Sequence, residues 1–420
     1  MPSRFSFAVL ALRDFRFLMF TRVFGVMALQ TQAVIVGWQV YSLTRDPLML
    51  GLTGLTEAIP AILCALVAGH IVDISRPHRI YMICLGVLVL NTLTLLLLAG
   101  GIVPVPRHIL LPCIFAGIFI SGTARSFIMP SSFSLLPQVV PRAKIPAASA
   151  FMSSGFQIAA ITGPAMAGLI YGGYGARIAW ILPVTFITLA FVMFISIGKP
   201  HRQYRSAAKR EPAVQSIKSG WRFILHNKIL LSVMALDMFA VLFGGAVAML
   251  PAFADQVLHI GSQGLGMLRA APAIGAVASA IILAVRPMKQ IRATILLTVI
   301  TGFGLCMIGF GLSQTLWLSM LFLIVSGAFD SVSMIIRGTL MQLLTPDDMR
   351  GRVSAVNSMF IISSNEIGAF ESGLAARLFG LVPSIVLGGI CTLIVVAIVG
   401  GSSPKLRRLV VSADEGLPEK

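Results

Sequence analysis

Charge is scarce in this chain. Asp and Glu number 15 among 420 residues, and all charged types together make up 11%, against about 25% in soluble domains. That scarcity excludes a water-soluble globular fold. No GxxxxGK[ST] run occurs, so no loop is present to cradle ATP phosphates, and an ATP-driven pump would need another subunit. The cysteines, Cys64, Cys84, Cys113, Cys306 and Cys391, are odd in number, dispersed and without a CxxC pair. They exclude a disulfide framework and a zinc site, and read as packing residues. Histidine is equally uninformative: six are present, and none falls deep in an apolar run. A proton carried through the apolar part must therefore ride on carboxylates. No cluster of nucleophile, base and metal ligands is found, so the sequence points away from an enzyme and calls for no cofactor or metal.

What is present is oil. Hydrophobic residues are 57% of the chain and mean hydropathy is +0.93. The apolar residues come in runs of about 20 or more, the length a helix needs to cross roughly 30 Å of hydrocarbon. Open sheets cannot satisfy their backbone in lipid, so the expected class is an all-α membrane bundle. Twelve spans are expected, at 17–42, 48–72, 79–100, 109–133, 147–172, 178–198, 229–254, 263–285, 292–313, 316–343, 353–377 and 382–402. The basic N-terminus leads into a full-length first span rather than a cleavable signal. The one long connection, 199–228, divides the chain into a first six-helix bundle (1–198), a linker and a second six-helix bundle with a short tail (229–420). Within the linker, Val214, Ile217, Trp221 and Ile224 recur at helical spacing, which predicts an amphipathic helix along the cytoplasmic surface.

Orientation follows from the bases. With the N-terminus in the cytoplasm, twenty-four Lys and Arg lie in cytoplasmic segments, and only Arg45, Arg107, Arg177 and Arg377 on the other side. That bias places both termini in the cytoplasm. It also accounts for a net charge of +17: the bases sit beside the membrane and meet anionic lipid headgroups, with no need for nucleic acid.

The two halves repeat. GLTEAIPAI (54–62) matches GMLRAAPAI (266–274), and ISGTARS (120–126) matches VSGAFDS (325–331). Pro141, Ser149, Gly163 and Gly168 likewise fall on Pro346, Ser354, Gly368 and Gly373. The change of offset between the two matches fits a longer loop, GGIVPVPRH, before the fourth span. Two parallel six-helix repeats are the plan of major facilitator transporters.

GHIVDISRPHR (69–79), between the second and third spans, resembles the loop signature of that superfamily, with Gly69, Asp73, Arg76 and Arg79 at the matching positions. Ile74 stands where a base is usual. The equivalent AVRPMKQIR in the second half keeps the bases and lacks the Gly and Asp. GPAMAG, with Gly163, Pro164 and Gly168, resembles the Gly-Pro motif of the antiporter branch and lacks one of its glycines. LFGGAVAMLPAFA (242–254), GLGMLRAAPAIGA (264–276), RGTLMQLLTPDDMRGRVSAVNSMFIISSNEIGAFESG (337–373), FRFLMF and GWQVYSLTRDPLMLGLTG are similar to the enterobactin-exporter-like branch, which also holds macrolide and other drug efflux proteins.

The resemblance implies a monomer in the bacterial inner membrane that exports small amphipathic compounds, drugs or siderophore-like, by alternating access at the expense of a proton gradient. Lysophospholipid flipping, or a scaffold that transports nothing, are the alternatives. In that fold the first, fourth, seventh and tenth spans line the central cavity, which assigns Arg22, Arg125, Asp237, Asp330 and Arg337 to it. Charges within spans cost about 2.5–3.5 kcal/mol each on insertion scales and mark function. Glu57, Arg269, Glu366 and Glu371 complete the set. Three contacts are expected: Arg125 facing Asp330 across the cavity, Glu57 near the acids of the eleventh span, and Asp73 latched to Arg350 and Arg352.

Overall fold

The computed structural model describes residues 9–141, 144–198, 213–286, 290–346, 349–403, 407 and 410–412. In order, its helices are α1 (Arg13–Thr44), α2 (Pro47–Ile74), α3 (Pro77–Ala99), α4 (Arg107–Val139), α5 (Ile145–Ile195), α6 (Ala213–His226), α7 (Lys228–Phe243), α8 (Leu250–Gln256), α9 (Gly261–Val285), α10 (Ala293–Leu312), α11 (Leu316–Leu344), α12 (Arg350–Phe379) and α13 (Leu381–Ser402). A 3-10 turn, Gly245–Met249, joins α7 to α8.

Local chemistry sets the boundaries. Pro77 opens α3 with a preset φ and no N–H to leave orphaned, and Arg76 before it is extended. The Asn227 side chain accepts from Leu230 N at 3.2 Å and caps α7. At 51 residues, α5 is about 77 Å long at 1.5 Å per residue, too long for one crossing. Gly175, at φ 78°, breaks it into two spans, because only glycine takes that backbone without strain.

Among the described residues, ten helical stretches are long and apolar enough to cross a membrane. One of them is the doubled α5. The 30-residue α12 falls outside those ten because Asn365, Glu366 and Glu371 dilute it, and it brings the number of membrane helices to twelve. Leu90, Val285 and Trp317 turn outward, as side chains bathed in lipid must.

The chain forms two compact units. The first is Met1–Leu43 with Thr56–Arg210; the second is Thr44–Leu55 with Glu211–Lys420. The opening turns of α2, which the sequence assigns to the first six spans, thus group with the second unit. Phe15, Leu18, Tyr81, Leu85, Leu88, Ile187 and Phe194 fill the core of the first unit. Val233, Leu236, Leu296, Ile300, Ile336 and Leu340 fill that of the second.

Both units contain the same close helix crossing. In the first, a Cβ on Gly122 of α4 would stand 2.6 Å from Glu57 O and 3.1 Å from the Pro60 ring on α2. In the second, the backbone of α9 at Pro272 presses on Gly327 of α11, and that of α11 at Ile324 presses on Gly275. Gly122 and Gly327 are repeat equivalents, as are Pro60 and Pro272. Without a hydrophobic force between helices in lipid, such small-residue contacts hold a bundle together.

The linker helix α6 forms and packs on α12. Gly220 abuts the Arg352 backbone at 2.9 Å from a would-be Cβ. Trp221 stacks on Phe360 with centroids 5.1 Å apart, and Ile224 is buried with Leu230, Val353 and Val356. The Val214 and Ile217 side chains lie outside the described residues. A short ribbon missed by the sequence reading, β1 (Gln290–Arg292) against β2 (Val410–Ser412), ties the tail to the loop before α10.

Gly327→Val should overpack the α9–α11 crossing and cost about 1–3 kcal/mol, read as a lower melting temperature in detergent. Gly338→Ala, on the same helix with nothing within 4 Å of the new Cβ, should leave the melting temperature unchanged or raise it.

Candidate functional site

In the first unit the crossing at Gly122 sets up an ion pair. Arg125 lies one turn beyond Gly122 on the same face of α4, so it meets the turn of α2 that carries Glu57, and the two side chains pair. Sequence reasoning expected Asp330 as the partner of Arg125 and placed Glu57 near the eleventh span; it did not anticipate the Glu57–Arg125 pair within the first unit.

Beside this pair runs a buried polar cluster. Gln32 Nε2 donates to Ser121 Oγ at 3.1 Å, Asn91 Nδ2 donates to Ser121 Oγ at 2.9 Å and to Gly117 O at 3.0 Å, and Thr92 Oγ1 donates to Gln32 Oε1 at 3.4 Å. These four residues tie α1, α3 and α4 and were not singled out in the sequence. A polar side chain on each of three neighbouring spans was the only available clue. Arg22 on α1 lies within electrostatic reach of the buried Tyr81 and makes no ion pair among the described residues. Gly163 touches α1 at Met27 O and Gln30 and accepts from Thr31 Oγ1 at 3.4 Å. It is thus the α1–α5 contact point, with Pro164 and Gly168 following it in the same helix.

In the second unit Asp237 of α7 pairs with Arg337 of α11. Arg337 Nε also donates to Ser333 O at 3.3 Å. This pair is nearly enclosed, at 10% and 12% side-chain exposure, whereas Arg125 and Glu57 retain 45% and 23%. Asp330, Ser333 and Arg337 are spaced three and four apart and share one face of α11. Asp237, Asp330 and Ser333 line a cavity of about 20 Å³ with Phe303 and Phe329, room for one water.

Other sequence candidates fall elsewhere. Arg269 on α9 is partly exposed, and its Nε is enclosed without a hydrogen-bond partner. Glu366 lies against Gly54, where α2 and α12 meet within the second unit. Glu371 lies next to Ser372 on α12. The side chains of Gly69, Asp73 and Arg350 lie outside the described residues, and the expected latch lies there with them. Arg76 and Arg79 are exposed, and Arg352 reaches Ser219 Oγ of α6 at 3.3 Å.

Two ion pairs escaped the sequence reading. Arg45 pairs with Asp255, and Arg377 with Asp46 at 3.4 Å; they pin the α1–α2 corner to α8 and α12. Both acids sit in loops or at helix ends, where a charge carries no membrane penalty and raises no flag. Among the described residues no three His, Cys, Asp or Glu side chains come together as a metal site.

The profile of the transmembrane secretion effector family matches residues 4–413. An enterobactin exporter of Citrobacter koseri is 23% identical over 378 residues, 89% of this chain and 88% of the relative. One from Escherichia coli is 24% identical over 368 residues, 87% and 86% of the two chains. Among solved structures, a bacterial homologue of the human lysosomal transporter Spinster matches with a TM-score of 0.70 at 14% identity, covering 97% of this chain and 98% of that one. A bacterial homologue of the iron transporter ferroportin matches with a TM-score of 0.69 at 14% identity, covering 95% and 99%. Both likenesses concern the fold.

Because Asp237 and Arg337 are enclosed, Arg337→Gln should cost about 3–5 kcal/mol by stranding a buried charge. Glu57→Gln, at the more open pair, should cost less, and its coupling to Arg125→Gln in a double-mutant cycle should fall at the low end of about 0.5–3 kcal/mol. Unfolding in detergent measures all of these. An Arg337 variant that melts with or above the Glu57 variant contradicts the ordering.

Proposed function

We propose that this chain, which belongs to the transmembrane secretion effector family of the major facilitator superfamily, exports small amphipathic organic compounds across the cytoplasmic membrane of a bacterium in exchange for protons. It is a transporter of the major facilitator kind, with twelve membrane helices. Enterobactin export is the named role of its relatives. That role supports an organic compound as cargo, and outward movement.

The observation that carries the reading is the grouping of two carboxylates and one arginine in the second unit. Asp237 and Asp330 line one water-sized cavity, and among the described residues Arg337 pairs with Asp237 and not with Asp330. One acid is left for a proton. A proton arriving on Asp237 would release Arg337, and a departing one would restore the pair, so proton traffic changes which helices are held together. A reversible pair of this kind is what alternating access needs, because a ligand shifts a two-state equilibrium only by its differential affinity for the two states. Glu57 and Arg125 offer a second such pair in the first unit. Neither pair needs a cofactor.

In everted vesicles energised to an acidic lumen, adding a transported compound from a panel of drugs, siderophores and lysophospholipids should raise luminal pH, seen as recovery of a quenched acridine dye. Asp237→Asn and Asp330→Asn should each reduce that recovery at least about tenfold, the loss expected when a coupling charge worth roughly 1.4 kcal/mol or more is removed. If no compound moves protons in the intact protein, the exchange reading fails. If both variants couple as the native chain does, these acids are not the carriers.

A further inference from the structure

The two units share a scaffold and differ in the charges hung on it. The positions of Glu57 and Arg125 in the first unit correspond in the repeat to Arg269 and Asp330 in the second, so the signs are exchanged. The helix crossing that joins the first two is reproduced at Gly327 and Pro272. The ion pair is not. Asp330 lines the Asp237 cavity, Arg337 is committed to Asp237, and among the described residues Arg269 makes no ion pair.

Arg269 is also deep. It lies eight residues into α9, which starts at Gly261, about 12 Å along the helix axis at 1.5 Å per residue. A long basic side chain near a span end can snorkel to the headgroups. Arg269 is too far in. Its Nε is enclosed without a hydrogen-bond partner, and the residue as a whole is partly exposed. A guanidinium without a counter-charge among the described residues is a receptor for a planar anion: five donors in a rigid fork match a carboxylate in bidentate fashion.

We propose that Arg269 is a substrate-binding residue that recognises an acidic group on the transported compound, so that the cargo of this protein is an amphipathic organic acid. The inference rests on the transporter reading above and deepens it. The apolar body of such a compound suits a cavity within a membrane bundle. Its anionic end supplies the counter-charge that Asp330 does not, and an uncompensated cation at this depth gives the anion an affinity that a neutral analogue lacks.

The test is equilibrium binding to the purified full chain in detergent, with no gradient imposed. The probes are 11-(dansylamino)undecanoic acid and its primary amide, a matched pair differing in one charge, with empty micelles as the blank. The native chain should bind the acid about tenfold or more tightly than the amide, the discrimination expected from one hydrogen-bonded charge pair. Arg269→Gln should abolish that preference with amide binding unchanged, and Arg269→Lys should retain part of it. Arg269→Gln should also melt no lower than the native chain, because it removes a charge that no described residue balances; a merely structural arginine would lower the melting temperature. Equal binding of acid and amide by the native chain, or binding of neither, overturns the proposal. So does a preference that survives in Arg269→Gln. If acid binding depends on Arg269 but no panel compound moves protons in vesicles, the exchange reading alone fails. If panel compounds move protons while acid and amide bind alike, only the present inference fails.

Discussion

A charged side chain surrounded by hydrocarbon must be answered by another charge, by water or by a ligand. The three answers leave different traces. Asp237 and Arg337 answer each other almost completely enclosed. Glu57 and Arg125 answer each other in a more open setting. Asp330 borders a cavity large enough for one water. The surrounding structure serves these arrangements. Glycines at the crossings bring helix backbones near enough for short side chains to meet, and Ser333 lends its carbonyl to an arginine one turn later on α11. Neutral polar residues follow the same logic on a smaller scale, as the Gln32, Asn91, Thr92 and Ser121 cluster shows.

Duplication supplied the frame, and divergence supplied the chemistry. The crossing of α2 with α4 and that of α9 with α11 use the same glycine and proline positions, because a backbone contact tolerates almost no change. The charges one turn away are free to change as long as each is accommodated. A symmetric scaffold with exchanged signs therefore gives the two units different electrostatic tasks while keeping their helices in equivalent packing.

Much of the fold was legible in the sequence because membrane helices advertise themselves through length and oiliness. The exception in hydropathy, α12, is informative: Asn365, Glu366 and Glu371 make it too polar to pass as a span by composition, although its place in the count of twelve was evident. The bend at Gly175 was visible only as a gap between two runs. The site was legible as a set of residue types and not as a set of contacts. The Glu57–Arg125 pair was not foreseen because contact depends on which helices cross, and the α2–α4 crossing is not written in either sequence segment alone. For α6 the spacing showed an apolar face, but a helical period cannot say whether lipid or protein covers it; in the structure Phe360, Val353 and Val356 of α12 take part of that face.

The corner between α1 and α2 is held by pairs of another kind. Arg45 with Asp255 and Arg377 with Asp46 are solvent-facing, with the arginines more than half exposed. At physiological ionic strength the Debye length is about 8 Å, and exposed charges are progressively shielded as salt rises, while enclosed ones are shielded far less. The corner thus responds to the composition of the surrounding medium, and the Asp237–Arg337 pair does not. Rising ionic strength in the water that bathes this corner would loosen one end of the unit and leave its interior electrostatics as they were.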